Sequence, residues 1–297
     1  MKKQIFRGSG VALITPMFAD GSVNFPVLRT LLEEQIARGT DAIIICGTTG
    51  EASALNDEEH LSVIEYACKV VAGRLPVVAG TGSNDTRHAI ALSCAAKERG
   101  ADALLQVTPY YNKTSQAGLV RHFTAIADAV GLPVILYNVP SRTGMTIQPE
   151  TYAELARHPL IVAAKEASGN FSAIAKTAAL CGDSLALYSG NDDQILPILS
   201  LGGLGVISVL ANVAPKETHD ICQLYFDGRK EESLTLQLRY LPLIESLFCD
   251  VNPIPVKEAM NIMGYEAGPC RMPLAALSET NSTRLRASLK EAGLLDT

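Results

Sequence analysis

Residues 158–169 read HPLIVAAKEASG, an apolar run from Leu160 to Ala164 that drives straight into Lys165 and Glu166. An ammonium group at the end of such a run snorkels to a wet rim, pairs with Glu166, or is a reagent. With the two-residue period of a strand, Ile161, Ala163 and Lys165 share one face. If that face is enclosed, burial disfavours the charged amine and lowers its pKa from about 10.4 toward ~7–8. A free amine of this kind attacks carbonyls to form Schiff bases. That chemistry must also move protons, and Tyr137 in PVILYNVP offers a phenol that a threonine hydroxyl can link to a second phenol. The plainer role for Tyr137 is packing, with its hydroxyl at the rim. GTTGE (47–51), between a strand and a helix, offers backbone N–H groups and the hydroxyls of Thr48 and Thr49 to a small carboxylate; otherwise it is a tight turn. Arg142, in VPSRTG, is either a clamp for a second carboxylate or a solvated loop residue.

These side chains need a frame that brings them together. Short β-like runs occupy 10–16, 41–47, 76–82, 101–109, 133–140, 160–168, 184–192 and 203–213, with longer amphipathic stretches between them. Asn56 with Glu59 three residues on predicts a capping box. Glycines at 39, 73, 100, 131 and 182 stand where helices stop before the next strand. Strands buried on both faces and joined by helices form a parallel sheet. Eight units with a period near 30 residues fit a closed (β/α)8 TIM barrel, and the α/β competitor is a doubly wound open sheet. No GxGxxG follows the first strand, so the dinucleotide fingerprint is missing. Beyond about residue 228 only helical patterns remain. The expected organisation is therefore a catalytic barrel over 1–228 and a C-terminal helical region over 229–297 packed on it.

Barrel chemistry collects at the C-terminal strand ends. There the sequence places Thr48-Thr49, Tyr110-Tyr111, Tyr137, Lys165, Gly190-Asn191-Asp192 and Ser208. The five histidines (60, 88, 122, 158 and 219) fall in or beyond helices and never at a strand end, which argues against a metal site. Carboxylates in Asn191-Asp192-Asp193 would repel a phosphate where barrels usually cup one. That also disfavours a pyridoxal-phosphate enzyme, and no cofactor is expected. The net charge of −6, from 25 basic and 31 acidic residues, provides no basic footprint for nucleic acid. No apolar run reaches a membrane span, and the apolar start is too short for a signal peptide. Seven irregularly spaced cysteines with no Cys-x-x-Cys read as reduced thiols of a cytoplasmic protein. A small unphosphorylated oxo-acid is the expected substrate.

GTTGE (47–51), TPYYNK (108–113), YNVPSRTG (137–144), VAAKEASGN (162–170) and GVISVLANV (205–213), with NPIPVK and RMPLA beyond, resemble the dihydrodipicolinate synthase family nearly end to end. That family belongs to the N-acetylneuraminate lyase superfamily of Schiff-base aldolases. The two threonines of GTTGE and the arginine at 142 favour the synthases over lyases that act on sialic or 2-oxo-3-deoxy sugar acids. The resemblance implies that Lys165 forms the Schiff base with pyruvate. It implies a proton relay of Tyr137, Thr48 and Tyr111, the last reaching in from a neighbouring subunit. Thr49, Gly190 and Ile207 would line the pyruvate site, and Arg142 would hold the carboxylate of aspartate semialdehyde. A homotetramer built from tight dimers, working in lysine and diaminopimelate biosynthesis, is implied as well. Lysine-inhibited members use residues matching Asn84, Tyr110 and His60, and carry an acidic residue where this chain has His88. An imidazole replaces a carboxylate beside an ammonium only when neutral and accepting. With Asp57 and Ala52 also different, weak or absent feedback is expected. The reading from another class is a silent barrel that only binds an oxo-acid; it would keep Thr48 and Thr49 but need not keep Lys165, Tyr111 and Tyr137 together.

Overall fold

The computed structural model describes residues 2 and 4–295. Eight short strands form it: β1 (Gly8–Ala12), β2 (Ala42–Ile45), β3 (Val77–Gly80), β4 (Ala103–Val107), β5 (Val134–Asn138), β6 (Ile161–Glu166), β7 (Ala186–Ser189) and β8 (Gly205–Ser208). All neighbours are parallel, and β8 returns to β1 with Gly8 opposite Gly205, which closes the barrel in sequence order. The open sheet is excluded. Seven of the eight predicted runs contain their strand, whereas β1 begins at Gly8, two residues before its run. All eight runs extend past the strand end, because their last residues have left the ladder to form the loops of the mouth.

Each strand divides its side chains between two cores. Ala12, Ile44, Val78, Leu105, Ile135, Ala163, Tyr188 and Ile207, one from each strand, fill the barrel interior. Val11, Ile43, Ile45, Leu104 and Leu136 face outward, onto helical residues such as Leu28, Ile64, Phe123 and Ile174. Each large apolar side chain so buried contributes roughly 1.5–3 kcal/mol before chain entropy is counted. The helices that supply this outer layer begin with α1 (Phe25–Ala37), α2 (Asp57–Val71), α3 (Thr86–Glu98) and α4 (Gln116–Val130). α2 starts at the expected capping box: Glu59 N–H donates to Asn56 Oδ1 at 3.0 Å, and Asn56 N–H donates to Glu59 Oε2 at 3.1 Å.

One expectation about β6 fails. Val134 pairs with Ile161, but Ile135 pairs with Ala163, so the register shifts by one residue. Ile161 therefore packs in the outer core, while Val162 and Ala163 both belong to the inner one. A bulge of this kind adds a residue and re-aims the rest of the strand. Lys165 reaches the interior together with Ala163, but without Ile161.

The remaining helices are α5 (Pro140–Thr143), α6 (Pro149–Leu155), α7 (Phe171–Cys181), α8 (Ile195–Ser200), α9 (Pro215–Phe226), α10 (Lys230–Leu247), α11 (Ile254–Ile262) and α12 (Glu279–Glu291). The last three are the helices read beyond residue 228. The segment that enters α11 runs across the barrel mouth, where its side chains meet the loop after β2.

Candidate active site

Lys165, on β6, is 6% exposed. It lies in register with Tyr137 on β5 and Tyr188 on β7. Its Nζ sits over the Tyr137 ring, 4.4 Å from the centroid. Among the described residues no carboxylate pairs with it. Glu166, the next residue, points to the other face of the strand and is fully engaged. Its Oε1 accepts from Asn138 Nδ2 at 2.8 Å and from the Tyr152 hydroxyl at 2.6 Å, and its Oε2 accepts from Ser168 Oγ at 2.7 Å. Burial, and then the Glu166 carboxylate, push the Tyr152 phenol well above the usual range. The alternatives of a Lys165–Glu166 pair and of a snorkelling lysine both fall: one partner is taken and the other residue is buried.

The GTTGE turn lies between β2 and α2. Gly50 N–H donates to Gly47 O at 3.1 Å and Glu51 N–H to Thr48 O at 3.1 Å. A Cβ at Gly50 would sit 3.1 Å from Leu13 O and 3.2 Å from Cys46 N, so only glycine fits without displacing backbone. Thr49 is buried, and its Oγ1 accepts from Asn252 Nδ2 at 3.0 Å. Arg142 on α5 donates from Nη2 to the backbone oxygen of the same Asn252 at 3.0 Å. Asn252 thus ties the threonine turn to the arginine, and its own Oδ1 is buried without a partner among the described residues.

Across the barrel, β7 ends at Ser189 and Gly190. A Cβ on Gly190 would come within 2.7 Å of Ala167 Cβ and 3.0 Å of Glu166 O, so the two loops touch through a glycine. Asp192 does not face outward as a charge in the mouth. It is buried, accepting from Ser208 Oγ at 2.5 Å, from Val209 N–H at 3.0 Å and from Leu210 N–H at 2.9 Å. Burial raises its carboxyl above the usual range, and these hydrogen bonds and the charge of Lys165 oppose that rise. Ile207, on β8, is an interior wall.

A cavity of about 530 Å³ opens at this end, lined by Thr48, Tyr110, Tyr137, Val139, Arg142 and Thr143 on one side. It continues to Asp57, His60, Ser83 and His88, so Thr48, Tyr137 and Arg142 share one opening with the effector candidates Tyr110, His60 and His88, whereas Lys165, Thr49, Gly190 and Ile207 are not on its wall. His60 is buried with Nε2 2.8 Å from Gly80 O, and burial lowers its pKa. His88 places Nδ1 3.1 Å from Ser83 Oγ and Nε2 3.0 Å from Asp57 Oδ1. Although both histidines ride on helices, they look into the cavity. Among the described residues no three His, Cys, Asp or Glu side chains gather as metal ligands.

Not every candidate converges. Tyr111 is 92% exposed, adopts φ of +67°, and is absent from the cavity wall. Thr48 and Tyr137 line the same cavity without a hydrogen bond between them. Asn84 is half-buried, and its backbone oxygen accepts from Asn112 Nδ2 at 2.9 Å. Sequence reasoning missed Asn252 and the Asn138–Glu166–Tyr152 network, and it read Asp192 as a charge in the mouth, where the structure buries it. Only the NPIPVK motif signalled Asn252, because its role depends on a fold-back across 203 residues of chain.

A closed barrel that presents at its mouth a buried lysine, unpaired among the described residues and set over a tyrosine ring, defines a Schiff-base lyase of the (β/α)8 class. The comparisons narrow the class. Residues 5–292 match the dihydrodipicolinate synthetase family, and the chain belongs to it. It is 57% identical over 290 residues to a 4-hydroxy-tetrahydrodipicolinate synthase of Caldicellulosiruptor saccharolyticus, covering 98% of each chain. A chloride-inhibited dihydrodipicolinate synthase from Acinetobacter baumannii, solved with pyruvate, superposes with a TM-score of 0.96 at 45% identity, over 98% of this chain and 100% of that one. A monomeric dihydrodipicolinate synthase variant also superposes at 0.96, with 40% identity over 98% of each chain.

Proposed function

We infer that this chain condenses pyruvate with L-aspartate 4-semialdehyde through a Schiff base on Lys165, giving 4-hydroxy-tetrahydrodipicolinate for lysine and diaminopimelate biosynthesis. The observation that carries the reading is the Lys165 amine, buried over the Tyr137 ring with no ion-pair partner among the described residues. The amine adds to C2 of pyruvate, the carbinolamine loses water, and loss of a methyl proton gives the enamine. The enamine carbon bonds to the aldehyde carbon of the second substrate. The amino group of that substrate then displaces the lysine from C2, which closes the ring and frees the enzyme.

Tyr137 is the proton carrier in this scheme, because its phenol ring lies under the amine, 4.4 Å from Nζ to the ring centroid. Thr48 links it to Tyr111 of a second copy of the chain. The exposure and left-handed backbone of Tyr111 suit a residue offered to a neighbour rather than to its own cavity. Thr49, Gly190 and Ile207 form the pyruvate pocket, with Thr49 at the carboxylate. Arg142 receives the carboxylate of the aldehyde substrate. The working unit in this reading is a cytoplasmic homotetramer of tight dimers, each chain a barrel over 1–228 carrying a helical region over 229–297. Feedback by lysine is weak or absent, because His88, engaged by Asp57 and Ser83, stands where an acidic partner for the effector is needed. Strong inhibition by sub-millimolar lysine would contradict this.

The reading is tested by product formation. Purified enzyme with pyruvate and aspartate semialdehyde should generate the heterocycle, which a coupled reductase assay detects. Turnover confined instead to cleavage of a sialic or 2-oxo-3-deoxy sugar acid would overturn it.

A further inference from the structure

The GTTGE turn carries both threonines of the site, yet neither β2 nor α2 holds its far end. Glu51, which closes the turn, has φ of +55°, a left-handed conformation that costs a non-glycine residue energy and persists only where surroundings impose it. Its side chain is wholly buried. One carboxylate oxygen, Oε1, accepts from Lys257 Nζ at 2.8 Å, and the other, Oε2, accepts from Arg271 N–H at 2.8 Å. Lys257, on α11, is itself 1% exposed and donates also to Pro269 O at 2.7 Å. Its partner thus lies 206 residues away in sequence, across the mouth of the barrel.

A buried ion pair is a poor source of net stability, because desolvation offsets most of the attraction. What it does fix is geometry, since neither charge tolerates leaving the other. The same C-terminal segment grips the turn a second time, through Asn252 on Thr49 Oγ1. Two tethers from residues 252 and 257 therefore bracket the turn at 49 and 51. Thr15 Oγ1 adds a third from below, donating to Gly50 O at 2.7 Å.

We propose that Lys257 and Glu51 are positioning residues: their ion pair holds Thr48 and Thr49 where pyruvate is bound and converted to the Schiff base. The C-terminal helices thereby complete the catalytic end of the barrel. This rests on the pyruvate reading above, and the experiment separates the two. Borohydride trapping of pyruvate is followed in the parent and in Lys257→Met, together with the KM for each substrate and the thermal unfolding curve. A turn displaced by an ångström or so should raise the pyruvate KM and slow trapping by about tenfold or more. Folded Lys257→Met with parental pyruvate KM and trapping rate overturns the positioning role, whatever its melting temperature. Should Lys257→Met not fold, Glu51→Gln takes the same measurements. It keeps the volume and leaves Lys257 its bond to Pro269, and a raised pyruvate KM, about threefold, is expected. A lowered melting temperature with unchanged KM in that variant equally overturns the proposal. Failure of the parent itself to trap pyruvate indicts the underlying reading instead.

Discussion

At the base of the barrel Phe6 stacks on Tyr188, with ring centroids 4.3 Å apart, and the Tyr188 hydroxyl donates to Phe6 O at 2.6 Å. Beside them Asp41 Oδ2 accepts from Ser9 N–H at 2.7 Å and lies 2.8 Å from His219 Nδ1. Ser9 Oγ is an exception there, buried without a partner among the described residues. At the mouth the balance reverses. Among the described residues the Lys165 amine has a ring face in place of a carboxylate, and Asn252 Oδ1 is buried and unpartnered. Both ends use tyrosines and charges on the same eight strands. Where polar groups find partners the barrel is sealed, and where they are left short of partners it is able to react.

Substitutions at the two ends should therefore fail in different ways. The largest effect is expected at Lys165: replacement by Ala or Arg should cut turnover at least about 10³-fold while leaving the fold and cooperative unfolding intact. Turnover within about tenfold of the parent would remove Lys165 from the chemistry. Tyr137→Phe keeps the ring under the amine and removes only the hydroxyl, so kcat should fall by about 10²-fold or more with little change in pyruvate KM. Arg142→Ala should raise the KM for the aldehyde substrate by roughly 10–100-fold and spare the pyruvate half-reaction. An equal effect on both substrates would mean that Arg142 supports the site through Asn252 rather than holding a carboxylate.

The base should behave in the opposite sense. Phe6→Ala removes half of the stacked plug and should cost about 3–5 kcal/mol in denaturant unfolding, with kcat of the folded enzyme nearly unchanged. A large loss of kcat at full stability would erase the contrast between the ends. The smallest effect concerns pH. The hydrogen bond from His219 to Asp41 raises the imidazole pKa above its usual value, against the opposing effect of partial burial. A raised folded pKa gives stability that is fully present below about pH 6.5, the unfolded value, and lost as pH rises through the folded one. Stability measured on the two sides of that window should drop in the parent and drop less in His219→Gln. A parental curve that rises with pH over the same window would contradict the pairing.

Most of the frame was legible in the sequence because apolar runs bounded by glycine and helical periods are local signals. The eight strands, the α2 capping box and the three C-terminal helices all fall where those signals put them. The β6 bulge was not legible: a one-residue register shift depends on the neighbouring strand, and Val162 looks like any other apolar residue. The outward-looking reading of Asp192 failed for a related reason, since its three hydrogen-bond donors come from residues 208–210. Lys165, Tyr137 and the threonine turn were legible as candidates by their place at strand ends. Asn252, Lys257 and the buried Glu51 carboxylate were not, because their roles exist only once the C-terminal segment has folded back over the mouth.

The central claim is that the mouth leaves one lysine amine free to bond covalently to an oxo-acid. Borohydride reduction in the presence of pyruvate, coupled to intact-mass and peptide mass spectrometry, tests it most directly. A reduced pyruvyl adduct on the peptide carrying Lys165, and none on Lys165→Arg, is the expected result. Pyruvate that binds by an independent method but leaves no adduct at Lys165 would contradict the account.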